Sequence, residues 1–350
     1  MWEGSCLRNF RKTLISTLAV LLCFALLVGM AEWPYFTKEG YYYQDAKVRR
    51  QMAGSVDTIV SGASQGLRAI DPRTLDEVLG CSAYNLSSVL DTMKGRYQIL
   101  KYELDRNPVD TVILELSYNA LTRSNGATGY EGNLYHLGRM DNPWQYLSFF
   151  IMDVKPKDYV QTLYDTVNRG ITVWKQMATG TLTRPVQYET HGFVPCITAA
   201  AQPEPEEYPA LYHTKELDLD KNEEDLKWLT RTLELCRERN IRVILVTTPV
   251  SEGRLWEYDG YDTVRSWYRE LSEAWDLSFY DFNLYKDKVS HYPEDTSFYD
   301  KGHMSLEGAE VFSRDLAEVL DRADRGEDTD GLFYDSYEEA IRERWEALGK

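Results

Sequence analysis

Short runs of β-branched and other apolar residues alternate along this chain with stretches of helical periodicity, and that alternation admits few folds. The runs cover residues 56–60, 81–86, 110–116, 241–246 and 277–282. Leu86, Leu90, Met93, Tyr97, Leu100 and Leu104 recur at helical spacing, and Asn107-Pro108 closes that helix. Further helices are predicted over 222–238, through Trp267 and Leu271, and after Ser305, an N-cap for Leu306, Ala309, Phe312, Leu316 and Leu320 facing the sheet. Five strands alternating with helices predict an α/β fold, a flavodoxin-like parallel five-strand sheet with flanking helices. The rhythm breaks between strands 3 and 4. Residues 120–220 hold Gly-, Tyr- and Trp-containing segments and a Pro/Glu stretch at 202–207, and read as an inserted lid or subdomain.

Residues 13–30 carry no charge, and Arg8, Arg11 and Lys12 stand directly before them. This pattern predicts a single-pass cell-membrane protein with a cytoplasmic N-terminus (1–12), a transmembrane anchor (13–31) and everything beyond outside the membrane. A cleaved signal peptide, cut after the small residues Gly29 and Ala31, competes; the length of the apolar run favours the anchor. An aromatic connector (32–54) follows, then the α/β domain (55–322) with its insertion, then a charged spacer and C-terminal helix (323–350) bearing Tyr337, Ile341, Trp345 and Leu348. The net charge of −17, with no basic cluster to offset it, argues against nucleic acid as a partner. Of the five cysteines, Cys81, Cys196 and Cys236 lie outside; they match no metal or redox motif, and a Cys196–Cys236 disulfide stays open. His136, His191, His213 and His291 are scattered without metal-ligand spacing, so neither a metal nor a cofactor is expected.

Three short segments carry the chemistry, each at a strand end or just before a helix. Gly62-Ala63-Ser64-Gln65-Gly66 follows strand 1, Ser117-Tyr118-Asn119 follows strand 3, and Asp300-Lys301-Gly302-His303 precedes the last helix. A serine hydroxyl needs a base within hydrogen-bond reach and a third group to fix that base's tautomer. His303 and Asp300 supply both for Ser64. Asn119, beside the backbone N–H of Ser64, is the expected oxyanion donor. Each segment alone is weak: a lone Ser64 is more often a helix N-cap, an isolated Asp-x-x-His more often a surface loop pair, and a lone Asn119 more often a turn residue. One sheet edge gathering all three raises their joint weight. Residues 62–66 also fit the GxSxG elbow, but that fold places several strands before its nucleophile and an oxyanion loop that this chain lacks. Glu115, at a strand end, is a candidate supporting group behind the site, although a strand-end carboxylate is more often solvated or paired.

On these segments the chain resembles the SGNH (GDSL-like) hydrolase superfamily. Within it, the chain looks like the membrane-anchored branch that includes alginate O-acetyltransferase-type and D-alanyl-lipoteichoic acid biosynthesis D proteins. The matching blocks are 60–64, 116–119 and 300–309. The resemblance implies Ser64 as nucleophile, His303 as base, Asp300 as its partner and Asn119 as oxyanion donor. The family's Gly oxyanion block has no clear match; Asn85 is its nearest candidate, and Ser117 replaces the usual Gly of the Asn block. It further implies a serine esterase or O-acyltransferase acting on acyl groups, acetyl foremost, of a cell-surface polysaccharide or other acylated carbohydrate, paired with a membrane-bound O-acyltransferase. Tyr130, Tyr135, Trp144 and Tyr146 of the insertion are candidate sugar platforms, although packing is the commoner role of such rings. The rival readings are a non-catalytic module of the same fold that binds glycan or an assembly partner, and a secreted lipase-like esterase.

Overall fold

The computed structural model describes residues 10–19, 22–23, 26, 29, 41–89, 92–122, 129–140, 143–181, 191–200, 215–216 and 219–347. The chain divides into two compact units, Met1–Ala46 with Gly138–Val186, and Lys47–Leu137 with Gln187–Lys350.

The larger unit is built on a five-stranded sheet, β1 (Thr58–Ser61), β2 (Ala83–Asn85), β3 (Thr111–Glu115), β4 (Arg242–Thr247) and β5 (Ser278–Asp281). Its order is β2-β1-β3-β4-β5 and every pairing is parallel, the predicted flavodoxin-like arrangement. Strands β1–β4 are buried over nearly their whole length, as a parallel sheet covered on both faces requires, and the edge strand β5 is buried over its second half. On one face Val60, Ile113, Ile244, Val246 and Tyr280 form a continuous core with residues of α1 (Ser64–Ala69), α2 (Pro72–Leu79) and α6 (Leu306–Asp324). The alternate residues Ile59, Val112, Leu114, Val243 and Leu245 are also buried and point to the opposite face. There α3 (Met93–Leu104) packs against α4 (Glu223–Glu238). The fifth strand is reached through α5 (Tyr261–Trp275).

Polar caps set several helix starts: Asp71 on α2, Thr92 on α3, Asn222 on α4 and Ser305 on α6 each accept a backbone N–H of the first turn. The helix expected to include Leu86 begins only at Met93. Leu86 N–H bonds the Val60 carbonyl and Ser88 N–H the Gly62 carbonyl, so this stretch still lies along β1. The unpaired edge of β2 is covered by residues 191–200, which run as a strap: Asn85 N–H donates to the His191 carbonyl, Val194 N–H to Leu67, Leu306 N–H to Cys196, and Ala200 N–H to Phe298. Gly192 permits this approach. Its φ is +89°, and a Cβ there would come within 2.1 Å of the Asn85 carbonyl oxygen.

A two-stranded antiparallel hairpin, β6 (Phe298–Asp300) and β7 (His303–Met304), precedes α6. The last helix, α7 (Tyr337–Ala347), is docked by buried Tyr337, Ala340, Ile341 and Arg344. Arg344 and Lys288 both pair with the buried Glu252 carboxylate, and Trp345 lies against Trp256 with ring centroids 5.5 Å apart. Cys81, Cys196 and Cys236 are free, so the disulfide left open between Cys196 and Cys236 is not formed.

In the smaller unit the helices Pro143–Asp153 and Tyr159–Thr179 carry exposed Trp144, Leu147, Ile151, Val160, Tyr164 and Trp174. Described residues of the apolar N-terminal run, Leu14, Ile15, Leu18, Leu22 and Leu26, are exposed as well. Among the described residues no helix is long and apolar enough to cross a membrane, and part of the expected 13–31 anchor lies outside them. The expected connector contains a helix, Tyr41–Gln51.

Candidate active site

Parallel register aligns the carboxyl ends of β1 and β3, with Ser61 opposite Leu114, and of β3 and β4, with Glu115 opposite Val246. The chain leaving β1 turns through Gly62 and Ala63, and Ser64 is the first residue of α1. The Ser64 hydroxyl lies 2.8 Å from His303 Nε2. On the far side of the ring, His303 Nδ1 lies 3.0 and 2.9 Å from Asp300 Oδ1 and Oδ2. Asp300 also receives the backbone N–H groups of Gly302 at 2.7 Å and His303 at 2.9 Å, so the tight turn between β6 and β7 fixes carboxylate and imidazole together. An ionised Asp300 can only accept, which assigns the imidazole proton to Nδ1 and leaves Nε2 to take the serine proton. Burial pushes the Asp300 carboxyl up, but the His303 ring and the two backbone N–H groups outweigh it and hold the group below the usual carboxylate range.

The turn is braced from behind. Ser251 bonds the Lys301 carbonyl through its N–H at 3.2 Å and its hydroxyl at 3.1 Å, and the Lys301 ammonium pairs with Glu257. The structure thus brings Ser64, His303 and Asp300 together from both ends of the domain.

Asn119 lies in the turn after β3, where its carbonyl accepts the Thr122 N–H and hydroxyl. Its side-chain amide has no hydrogen-bond partner among the described residues and the residue is half-buried. The Tyr268 hydroxyl holds the base of this turn by donating to the Ser117 carbonyl at 2.7 Å.

Asn85 is not an oxyanion donor. Both amide hydrogens are spent on backbone carbonyls, Gly66 at 2.9 Å and Ile70 at 2.8 Å, while its oxygen accepts Ser87 N–H at 2.9 Å. It fastens α1 to the end of β2. Among the proposed sugar platforms, Tyr135 is half-buried on the helix Gly129–Arg139, whereas the Tyr130 side chain lies outside the described residues. Trp144, 80% exposed, and half-buried Tyr146 share the helix Pro143–Asp153 of the smaller unit.

Glu115 takes the supporting position: it is fully buried, not solvated, and accepts Ala63 N–H at 2.9 Å and the Ser117 hydroxyl at 3.2 Å. An acidic residue at the end of an otherwise apolar strand was the available signal. Among the described residues no cluster of three or more His, Cys, Asp or Glu side chains could hold a metal ion.

No family model and no curated protein matches the sequence. Among solved structures, a GDSL-like lipase from Bacteroides thetaiotaomicron is similar over 81% of this chain and 98% of its own, at 8% identity and a TM-score of 0.35. The lipase/acylhydrolase from Enterococcus faecalis is similar over 77% of this chain and 97% of its own, at 14% identity and a TM-score of 0.36.

Proposed function

We propose that this chain is an extracytoplasmic, membrane-tethered serine esterase or O-acyltransferase that acts on O-acyl groups, acetyl foremost, of a cell-surface polysaccharide. The observation that carries the reading is the unbroken relay from Asp300 through His303 to the Ser64 hydroxyl, with contacts of 2.9 and 2.8 Å. His303 Nε2 removes the Ser64 proton as Oγ attacks the ester carbonyl, and Asp300 stabilises the imidazolium that forms. The charge that develops on the carbonyl oxygen is met by the Asn119 amide and the Ser64 backbone N–H. Collapse of the tetrahedral adduct expels the alcohol, protonated by His303, and leaves Ser64 acylated. Water or a sugar hydroxyl, deprotonated by the same imidazole, then releases the acyl group by hydrolysis or transfer.

The glycan assignment rests on the resemblance of 60–64, 116–119 and 300–309 to the membrane-anchored branch. That resemblance also implies a membrane-bound O-acyltransferase as acyl supplier. Exposed apolar side chains at Leu14, Ile15, Leu18 and Leu22 support the tether. Trp144, 80% exposed in the insertion, is a candidate for choosing the acceptor.

The decisive experiment treats the purified protein with a fluorophosphonate probe. A covalent adduct on Ser64, absent from Ser64→Ala, supports the enzyme. A folded protein that does not react indicates a binding module on the same fold. Replacing Trp144 should weaken deacylation of, or transfer to, a polysaccharide while sparing a small aryl acetate. Equal loss on both substrates would remove the glycan-specific role.

A further inference from the structure

Glu115 sits directly beneath the turn that presents Ser64. Its carboxylate accepts Ala63 N–H at 2.9 Å. Ala63 is the N-cap of α1 and has no side chain to cap with, and Gly66 is the third helical residue. In a capping box a polar N-cap side chain and an acidic third residue satisfy these same two backbone positions reciprocally. Here a carboxylate from the neighbouring strand takes the N-cap N–H in place of a local side chain.

The two glycines of residues 62–66 follow from that seat. A Cβ on Gly62 would come within 2.6 Å of Glu115 Cβ and Oε2. One on Gly66 would lie 3.1 and 3.2 Å from Glu115 Cβ and Cγ, and 2.9 Å from Ser87 Oγ. Neither glycine has a positive φ, so close approach, of Glu115 at Gly62 and of Ser87 Oγ with Glu115 at Gly66, and not backbone conformation, is what calls for glycine at both places. Burial pushes the Glu115 carboxyl above the usual range. Arg96, itself buried and donating to the Glu115 backbone carbonyl at 2.7 Å, opposes that shift together with the N–H donors.

We propose that Glu115 is a positioning residue, a buried acid that holds the 62–66 turn so that the Ser64 hydroxyl stays on His303 Nε2, with Gly62 and Gly66 present to admit it. The kinetic part of this proposal rests on the esterase reading; the geometric part does not.

The test uses the full chain and the variants Glu115→Gln, Glu115→Ala, Gly62→Ala and Gly62→Ala/Glu115→Ala. Three quantities are read: kcat and KM on a p-nitrophenyl acetate substrate, thermal midpoint, and amide hydrogen exchange across 62–67. Misplacing a nucleophile by about 1 Å costs about a hundredfold in rate, so Glu115→Ala and Gly62→Ala should each lose roughly that factor in kcat with KM little changed. Glu115→Gln, which keeps one acceptor and the side-chain volume, should recover part of it. The double variant should be no slower than the slower single, because both lesions break one contact. Exchange should quicken in 62–67 and not elsewhere. Losses that multiply in the double variant, a kcat loss that merely follows the thermal midpoint across the series, or unchanged exchange would each overturn the proposal. If the unmodified protein neither hydrolyses the ester nor takes up a fluorophosphonate, the esterase reading fails. The exchange measurement on Glu115→Gln and Glu115→Ala then decides the role of Glu115 alone.

Discussion

An amide or carboxylate acquires its role from the few groups it touches, and the polar residues of this site divide on that basis. Ser64→Ala should abolish ester hydrolysis and probe labelling with little change in thermal midpoint, since only a half-buried hydroxyl is lost. His303→Ala should do the same, and the double variant should be no slower than either single, because the pair acts as one unit. Asn119→Ala should slow turnover by about a hundredfold while leaving probe labelling detectable. Asn85→Ala should instead register in urea unfolding, at roughly 1–3 kcal/mol, because it strips hydrogen bonds from two buried carbonyls. For Asp300 the folded value is depressed, so its contribution to stability is complete above the ordinary carboxylate range and lost as pH falls through the depressed value. Asp300→Asn should therefore flatten the acid limb of a thermal-midpoint profile; the effect should be small, because the side chain is about half exposed and screened. Ser64, Asp300 and His303 were legible because each sits in a short segment whose residue types name the chemistry. Asn85 was not. Its partners lie 15 and 19 residues away and meet it only after α1 has folded against β2. Glu115 was open to a supporting role, but its partner Ala63, 52 residues away, was hidden for the same reason.

Elements with a period were readable in the chain, and those defined only by pairing were not. All five sheet strands fall within or at the edges of the apolar runs, because strands buried on both faces need continuous apolar sequence. The early start assigned to α3 arose because Leu86 happens to continue the helical spacing while its N–H belongs to the β1 ladder. The strap at 191–200 has neither an apolar period nor a helical one. Its hydrogen bonds go to residues about a hundred positions away or more, to Asn85, Leu67, Leu306 and Phe298. The strap makes a sharp prediction about two glycines. Gly80, the C-cap of α2, has φ +67° and open space around it, so Gly80→Ala should cost only the left-handed backbone penalty of about 1–2 kcal/mol. Gly192→Ala meets the same penalty and also places its Cβ 2.1 Å from a carbonyl oxygen, so it should lower the thermal midpoint by clearly more. Equal effects would mean that the strap gives way without resistance.

At the scale of the whole molecule, the chain's last helix is tied to the β6–β7 turn through buried charge. Arg344 donates to the Glu252 carboxylate at 3.0 Å and to the carbonyls of Asn283 at 2.8 Å and Tyr285 at 3.0 Å, and Glu252 follows the Ser251 that grips the Lys301 carbonyl. Removing one member of a buried ionic group leaves the others unpaired in a low dielectric, so Arg344→Ala should destabilise by about 3–5 kcal/mol in denaturant titration. Ester hydrolysis should fall at denaturant concentrations below the main unfolding transition, since the first part released is the brace behind Lys301. Ser64 and His303 stand 239 residues apart in the chain. A chain being synthesised therefore carries Ser64 long before the imidazole of His303 has been made, and contacts of such separation close late. On the proposed function, until β5, the β6–β7 hairpin and α6 have docked, Ser64 is an ordinary alcohol and the growing protein does not acylate itself on surrounding esters. In a refolding experiment, fluorophosphonate reactivity should accordingly return with the slowest phase, well after the far-ultraviolet signal of the helices and sheet has recovered.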